Sequence, residues 1–234
     1  MKAFYLWAQM LSSHFYLQDQ APMIDSRLIA RDRKSPRVSE NVQNLCKELC
    51  MAVLPDTWIK QMAKTHGMIE PFADQRQRKG KISFGASSYG YDFRLFSEYK
   101  IPDLQGCETL DPKKMDAVRF RDYEGRTCRI PPNSFILGRS LEYFRIPRDV
   151  IVTCQGKSTY ARCGVIVNVT PLEPEWEGFI TLSLVNASPV PATVYSGEGI
   201  GQLVFIRAEE QCRTSYADRK GKYQAQKQIR LSSV

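Results

Sequence analysis

From Pro102 onward the chain is cut into short apolar segments by turn chemistry, and that punctuation restricts the fold more than any other feature. Asp111-Pro112, Glu124-Gly125, Pro131-Pro132-Asn133, Pro147-Arg148-Asp149 and the stretch from Ser188-Pro189 to Pro191 mark the turns. Between them Phe135–Leu137, Val150–Thr153, Val165–Val169, Ile180–Val185, Ala192–Tyr195 and Leu203–Ile206 are rich in β-branched and apolar residues and read as strands. Many short strands separated by proline turns predict a mainly β barrel or sandwich. Upstream, Trp58, Ile59, Met62 and Ala63 fall at helical spacing between Asp56, a candidate N-cap, and Gly67, which predicts one short amphipathic helix packed on the sheet. Residues 73–81 read as a polar loop, after which Tyr91, Phe93 and Leu95 alternate with Asp92, Arg94 and Phe96 as in a half-buried strand.

A chain of 234 residues with 43% hydrophobic content fits one domain, or one domain with an appendage. Residues 1–50 have the character of the appendage. Met1 to Leu17 is crowded with Phe4, Tyr5, Leu6, Trp7, Leu11, Phe15 and Tyr16, and Arg27 to Arg37 is basic and polar. Asp19, Asp25 and Asp32 sit among the basic residues, where a transit peptide avoids acids. The seven cysteines are odd in number and scattered, which favours reduced thiols and a cytoplasmic setting. The longest apolar runs fall far short of the ~20 residues of a membrane span, so no membrane partner is expected. A formal charge of +8 admits an anionic partner. Nucleic acid is not the expected one, because no recognition-helix pattern, zinc-finger spacing or RNP-type aromatic motif is present.

Chemistry concentrates between Cys154 and Asn186. Gly156 is followed by Lys157-Ser158-Thr159-Tyr160-Ala161-Arg162, which places two cations and two hydroxyls within six residues of a glycine. Lys157 and Arg162 could neutralise phosphate oxygens, Ser158 and Thr159 could donate to them, and the glycine lets backbone N–H groups approach. The same residue types also suit an ordinary solvated turn. Residues 207–234 carry seven Lys/Arg against three Asp/Glu, an excess that fits either a triphosphate-facing segment or a solvated basic tail.

The wording of several stretches goes further. Lys157 to Asn168 (KSTYARCGVIVN), Val169 to Gly178 (VTPLEPEWEG), Glu198 to Gln202 (EGIGQ), Ser87 to Asp92 (SSYGYD), Ile130 to Phe135 (IPPNSF), Glu142 to Pro147 (EYFRIP) and Gly221 to Gln224 (GKYQ) resemble the dCTP deaminase family of the trimeric dUTPase-like superfamily. The resemblance covers residues 51–234 and leaves 1–50 as an extension outside it, either a lineage-specific appendage or an upstream start. It implies a distorted β-barrel or jelly roll of the dUTPase-like type, a homotrimer with sites shared between subunits, and dCTP and dUTP as ligands, with dTTP as an inhibitor. It also implies Mg²⁺ bound with the triphosphate and no zinc. The zinc route to deamination needs an H-x-E and P-C-x-x-C signature, and neither His14 nor His66 is followed by that pattern.

Carried over residue by residue, the family's serine and arginine that place the attacking water fall on Ser158 and Arg162. Nucleotide contacts fall on Lys157 through Arg162 (Thr159, Tyr160 and Ala161 included), Glu173 near the sugar, the strand backbone at Thr181 and Leu182, Gln202, Tyr216, Lys222 and Gln226. One departure matters. The family's general-base glutamate follows W-x-G at the end of T-L-E, whereas here Trp176 and Gly178 lead to Thr181-Leu182-Ser183. Phe179 is a second departure, at a place that is often polar in relatives. Three functions follow as expectations: a dCTP deaminase impaired at the base position, a non-catalytic deoxynucleotide-binding paralogue, or a dUTPase-like diphosphohydrolase that relies on an acidic residue near Glu173.

Overall fold

Strand β4 (Gly90–Asp103) is long enough to serve two sheet faces, and the rest of the architecture follows from it. The computed structural model describes residues 52–77 and 80–232; residues 1–50, the expected extension, lie outside them. The first half of β4 pairs antiparallel with β3 (Gly85–Ser87) and β12 (Gly199–Arg207), and its second half pairs with β5 (Arg119–Glu124) and β7 (Ser134–Arg145). Between Leu95 and Tyr99 the β4–β7 register slips, an irregularity that adds twist and turns the strand from one face to the other. β12 also carries β8 (Val150–Gly156) and the two-residue β1 (Ala52–Val53), while β7 leads to β10 (Glu177–Asn186) and then β9 (Val165–Asn168). β2 (Ile69–Glu70) joins the far end of β7. The resulting sheet curls on itself, and β6 (Thr127–Ile130) pairs with β11 (Ala192–Tyr195) as a separate ribbon. This is the mainly β architecture that the punctuated strands imply, in the distorted-barrel form that the family resemblance implies.

The concave face is filled by Tyr91, Phe93 and Leu95 of β4, Phe144 of β7, Ile180, Leu182 and Leu184 of β10, and Leu203 and Phe205 of β12, all buried. Phe93 meets Phe144 edge to face, with ring centroids 6.2 Å apart, the geometry that the ring quadrupoles favour. Helix α1 (Asp56–His66) turns Ile59 and Ala63 into this core. Its start differs from the expected one: Pro55 occupies the N-cap position, and Asp56 is the first helical residue. Asp56 instead binds Lys60 one turn on, at 2.9 Å, and puts negative charge at the positive end of the helix. Gly67 ends α1 in the left-handed region at φ +60°.

Two buried acids brace β4. Glu142 of β7 accepts from the Arg94 side chain at 2.6 Å, the Arg94 N–H at 2.9 Å and the Tyr91 hydroxyl at 3.2 Å. Burial pushes its carboxyl upward against the pull of Arg94. Asp92 receives the Lys157 ammonium at 2.7 Å and also faces Arg76 at 3.3 Å. The Lys157–Asp92 pair fixes β4 to the turn that precedes helix α2 (Ser158–Ala161).

Candidate functional site

β10 presents the site through strict alternation. Ile180, Leu182 and Leu184 point into the core, so Thr181 and Ser183 project from the opposite face. A bulge between Phe179 and Thr181 sets that phase. It is held by Ser140, whose Oγ accepts from the Ile180 N–H at 2.8 Å and donates to the Glu142 carbonyl at 2.7 Å. In register, Ser183 lies between Leu137 of β7 and Asn168 of β9. The β9 pairing stops at that point, so the strand edge at Thr181 and Leu182 has no β9 partner among the described residues.

Residues 212–232 form a strap over this face. The Tyr216 N–H donates to the Pro174 carbonyl at 3.0 Å, the Trp176 indole to the Tyr223 carbonyl at 3.0 Å, the Ala225 N–H to the Glu177 carbonyl at 2.9 Å, and the Phe179 N–H to the Gln226 carbonyl at 3.0 Å. Gly178 makes the approach feasible. It has φ +144°, and a β-carbon there would lie 3.1 Å from the Gln226 backbone. The Gln226 amide spans the gap, donating to the Phe179 carbonyl at 2.5 Å and to Thr181 Oγ1 at 3.2 Å. Arg148 anchors the start of the strap through Asp218 at 2.8 Å and through Glu175 at 2.7 Å.

Between strap and sheet lies a cavity of about 1280 Å³, ample for a small-molecule ligand. Glu173, Thr181, Ser183, Tyr216, Lys222 and Gln226, six of the residues singled out from sequence, line it together. Leu110, Met115, Phe135, Leu137 and Ile151 make one part apolar, while Lys222 and Arg230 supply cations. Glu173 is its one carboxylate among the described lining residues, and Arg219 holds it in an ion pair. Ser183 has no side-chain hydrogen bond among the described residues, so its hydroxyl is available to whatever enters.

The remaining predicted residues stand elsewhere. Lys157 to Arg162 occupy α2 and its flanks, outside the cavity lining. Lys157 is only 8% exposed, with its ammonium committed to Asp92. Tyr160 is buried, and its hydroxyl accepts from the Tyr195 N–H at 3.1 Å. Arg162 and Ser158 are exposed, and the guanidinium donates to the Ser158 carbonyl at 2.9 Å. Thr159 borders a second, smaller hollow with Lys81, Tyr195 and Glu198. Gln202 donates to Ser87 Oγ at 3.0 Å, and the Leu182 side chain is wholly in the core. Sequence reasoning missed Trp176, Asn168 and Arg230 as lining residues. In the sequence Trp176 serves only as a landmark for counting along β10, because its grip on Tyr223 depends on a strap whose path the sequence does not announce.

Known proteins bear on this geometry. The family model described as dCTP deaminase-like matches residues 53–208, two-thirds of the chain. The chain belongs to the dCTP deaminase-like family. Proteins named dCTP deaminase from Paramagnetospirillum magneticum and Granulibacter bethesdensis are 58% and 55% identical to it over 181 residues, covering 77% of this chain and 98% of each of theirs. A crystal structure of 2'-deoxycytidine 5'-triphosphate deaminase from Agrobacterium tumefaciens shares the fold, with a TM-score of 0.51 at 16% identity over 68% of this chain. This dCTP deaminase-like chain spans 48% of that one.

Proposed function

We propose that this chain binds a pyrimidine deoxynucleoside triphosphate in the cavity beneath its carboxy-terminal strap, and that it is a dCTP deaminase (dCTP + H₂O → dUTP + NH₃) with a slow chemical step. The observation that carries this reading is the convergence of Glu173, Thr181, Ser183, Tyr216, Lys222 and Gln226 on one cavity, in a chain more than half identical to proteins named dCTP deaminase. Lys222 and Arg230 suit an anionic tail, and the edge of β10 at Thr181 and Leu182 offers backbone groups to a base. Glu173 is a single carboxylate, so Mg²⁺ would be held mostly by the triphosphate oxygens and water.

Deamination requires a water to lose a proton as it attacks C4, a proton delivered to N3, and departure of ammonia from a tetrahedral intermediate. At the general-base position the hydroxyl of Ser183 is a poor proton acceptor near neutral pH. Loss of such a base costs about 10²–10⁴-fold in rate. Ser158 and Arg162 would place and polarise the water, and both lie outside the cavity of their own chain. This supports a homotrimer in which α2 of one copy faces the cavity of the next. Free, scattered cysteines agree with a cytoplasmic setting.

Incubating the protein with dCTP and with dUTP in the presence of Mg²⁺, while following ammonia, dUMP and pyrophosphate, tests this reading. Ammonia release above background supports it. Binding without turnover would replace it with a non-catalytic nucleotide-binding paralogue, and pyrophosphate release with a diphosphohydrolase.

A further inference from the structure

Helix α2 is a single turn of four residues, and a turn that short does not hold itself together in water. Its exposed residues include Ser158, Thr159 and Arg162, the ones the nucleotide reading uses. Two buried side chains attach it to the rest of the fold. The Tyr160 hydroxyl accepts from the Tyr195 N–H at 3.1 Å, and the Lys157 ammonium reaches Asp92 at 2.7 Å. The first attachment is one neutral hydrogen bond; the second joins opposite charges on residues that are 8% and 1% exposed. Lys157 is also tied through its backbone. Its N–H donates to the Ile200 carbonyl at 3.2 Å, and its carbonyl accepts from the Tyr160 and Ala161 N–H groups at 3.0 Å each. Whatever fixes Lys157 therefore fixes the first turn of α2.

Asp92 is a rigid point to fix it to. It lies within β4, in register with Gly85 of β3 on one side and Gln202 of β12 on the other. Gly199 leaves room for the lysine stem, since a β-carbon there would lie 3.1 Å from Lys157 Cδ. A buried ion pair adds little net stability over two apolar side chains of similar volume. What this one adds is geometry, because the ammonium must stand within hydrogen-bond reach of one carboxylate oxygen. Arg76 faces the same oxygen from 3.3 Å, but its side chain is 43% exposed, so it is the looser of the two cations. Resting on the proposed nucleotide reading, we infer that Asp92 is a positioning residue of the site: through Lys157 it holds α2 where Ser158 and Arg162 meet the nucleotide, while staying buried itself.

Calorimetric titration with dUTP and Mg²⁺ tests the role on the full chain, on Asp92→Asn and on Asp92→Asn/Lys157→Met, each with and without Arg162→Ala. Asp92→Asn leaves a buried ammonium without its counter-charge and should lower the melting midpoint by about 6 °C or more. Adding Lys157→Met removes that ammonium and should restore more than half of the loss, which supplies a folded protein without the tie should the single variant not fold. Both variants should bind dUTP at least about tenfold more weakly than the wild type. Arg162→Ala, which costs about tenfold in the wild-type chain, should cost less than about threefold in Asp92→Asn/Lys157→Met, because Arg162 already stands out of place there. A merely structural role would leave that cost at its full size, since the Arg162 guanidinium binds the Ser158 carbonyl and not Asp92. Three results overturn the inference and leave nucleotide binding intact: affinity within about twofold of wild type in Asp92→Asn/Lys157→Met, an undiminished cost of Arg162→Ala there, or no cost of Arg162→Ala in the wild-type chain. No heat from dUTP with the wild-type chain overturns the nucleotide reading and the inference with it.

Discussion

At the scale of single residues, Ser183 and Ser140 do opposite things with the same hydroxyl. Ser183 offers its hydroxyl to the cavity, and its exchange for a carboxylate is the most direct test of the chemistry. Ser183→Glu should raise ammonia release from dCTP by about 10²–10⁴-fold, the range a positioned general base contributes. A folded, nucleotide-binding Ser183→Glu protein with no gain would mean that position 183 is not where the proposed chemical step is limited. Ser140 is fully buried and spends both capacities of its hydroxyl on backbone, the Ile180 N–H and the Glu142 carbonyl. Ser140→Ala leaves those two groups unpaired at the bulge, and should cost about 2–3 kcal/mol in a denaturant melt. A loss under ~0.5 kcal/mol would show that the bulge does not depend on it. Arg139, directly opposite Thr181, is wedged between the rings of Phe96 and Phe179, at 3.7 and 4.4 Å from their centroids. Phe179, the aromatic departure seen in the sequence, is thus half of a clamp on that guanidinium.

At the scale of elements, the strap behaves as a unit latched by charge at one end and by backbone at the other. Asp218 is held below the usual carboxylate range by the Ser215 N–H first and by Arg148 second. A carboxyl lowered on folding contributes stability that is complete above its unfolded value, 3.8 here, and is lost as pH falls through the lower folded value. Exchange of the 215–232 amides, corrected for intrinsic rate, should therefore accelerate between pH 5 and pH 3, and Asp218→Asn should show the faster exchange already at pH 5. Equal protection in variant and wild type at pH 5 would remove Asp218 from the latch. None of this is legible in the sequence, because the strap is irregular backbone whose partners lie 42 to 70 positions away. Strands were legible where apolar residues alternate between breakers. Ala192–Tyr195 is read end to end, since Pro191 precedes it and Ser196-Gly197 follow. The sequence predicts β7 only over Phe135–Leu137, whereas it runs from Ser134 to Arg145, because Gly138, Ser140 and Glu142 lie on its core face and hide the alternation. β5 was not foreseen at all. Arg119–Glu124 is mostly polar and exposed, and is a strand because β4 gives it an edge to pair with. The paired ions Lys157–Asp92 and Glu142–Arg94 were invisible for the same reason: 65 and 48 positions separate the partners.

At the scale of the whole molecule, the residues expected to act together divide into two sets that one copy does not bring to one cavity. Glu173, Thr181, Ser183, Tyr216, Lys222 and Gln226 line the space under the strap, whereas Ser158, Arg162 and Gln202 do not. If a neighbouring copy supplies the second set, two separately inactive proteins should rescue one another. Arg162→Ala removes the cation near α2, and Gln226→Ala removes the amide that bridges Phe179 and Thr181; each alone should bind dUTP at least about tenfold more weakly, a loss of about 1.4 kcal/mol or more. Denatured together in equal amounts and refolded, they assemble at random in a closed ring of heterologous contacts. A site is complete when the copy giving α2 carries only the Gln226 change and the copy giving the cavity carries only the Arg162 change, so about one site in four should regain wild-type affinity. A site built within one copy would regain none, because every chain in the mixture carries one lesion. Light scattering on the wild-type protein supplies the companion measurement, a mass three times that of the 26.8 kDa chain. A monomer that binds dUTP tightly would require Arg162 and Gln226 to serve the same cavity from within one chain, and the α2 segment would then have to leave Asp92 to do so.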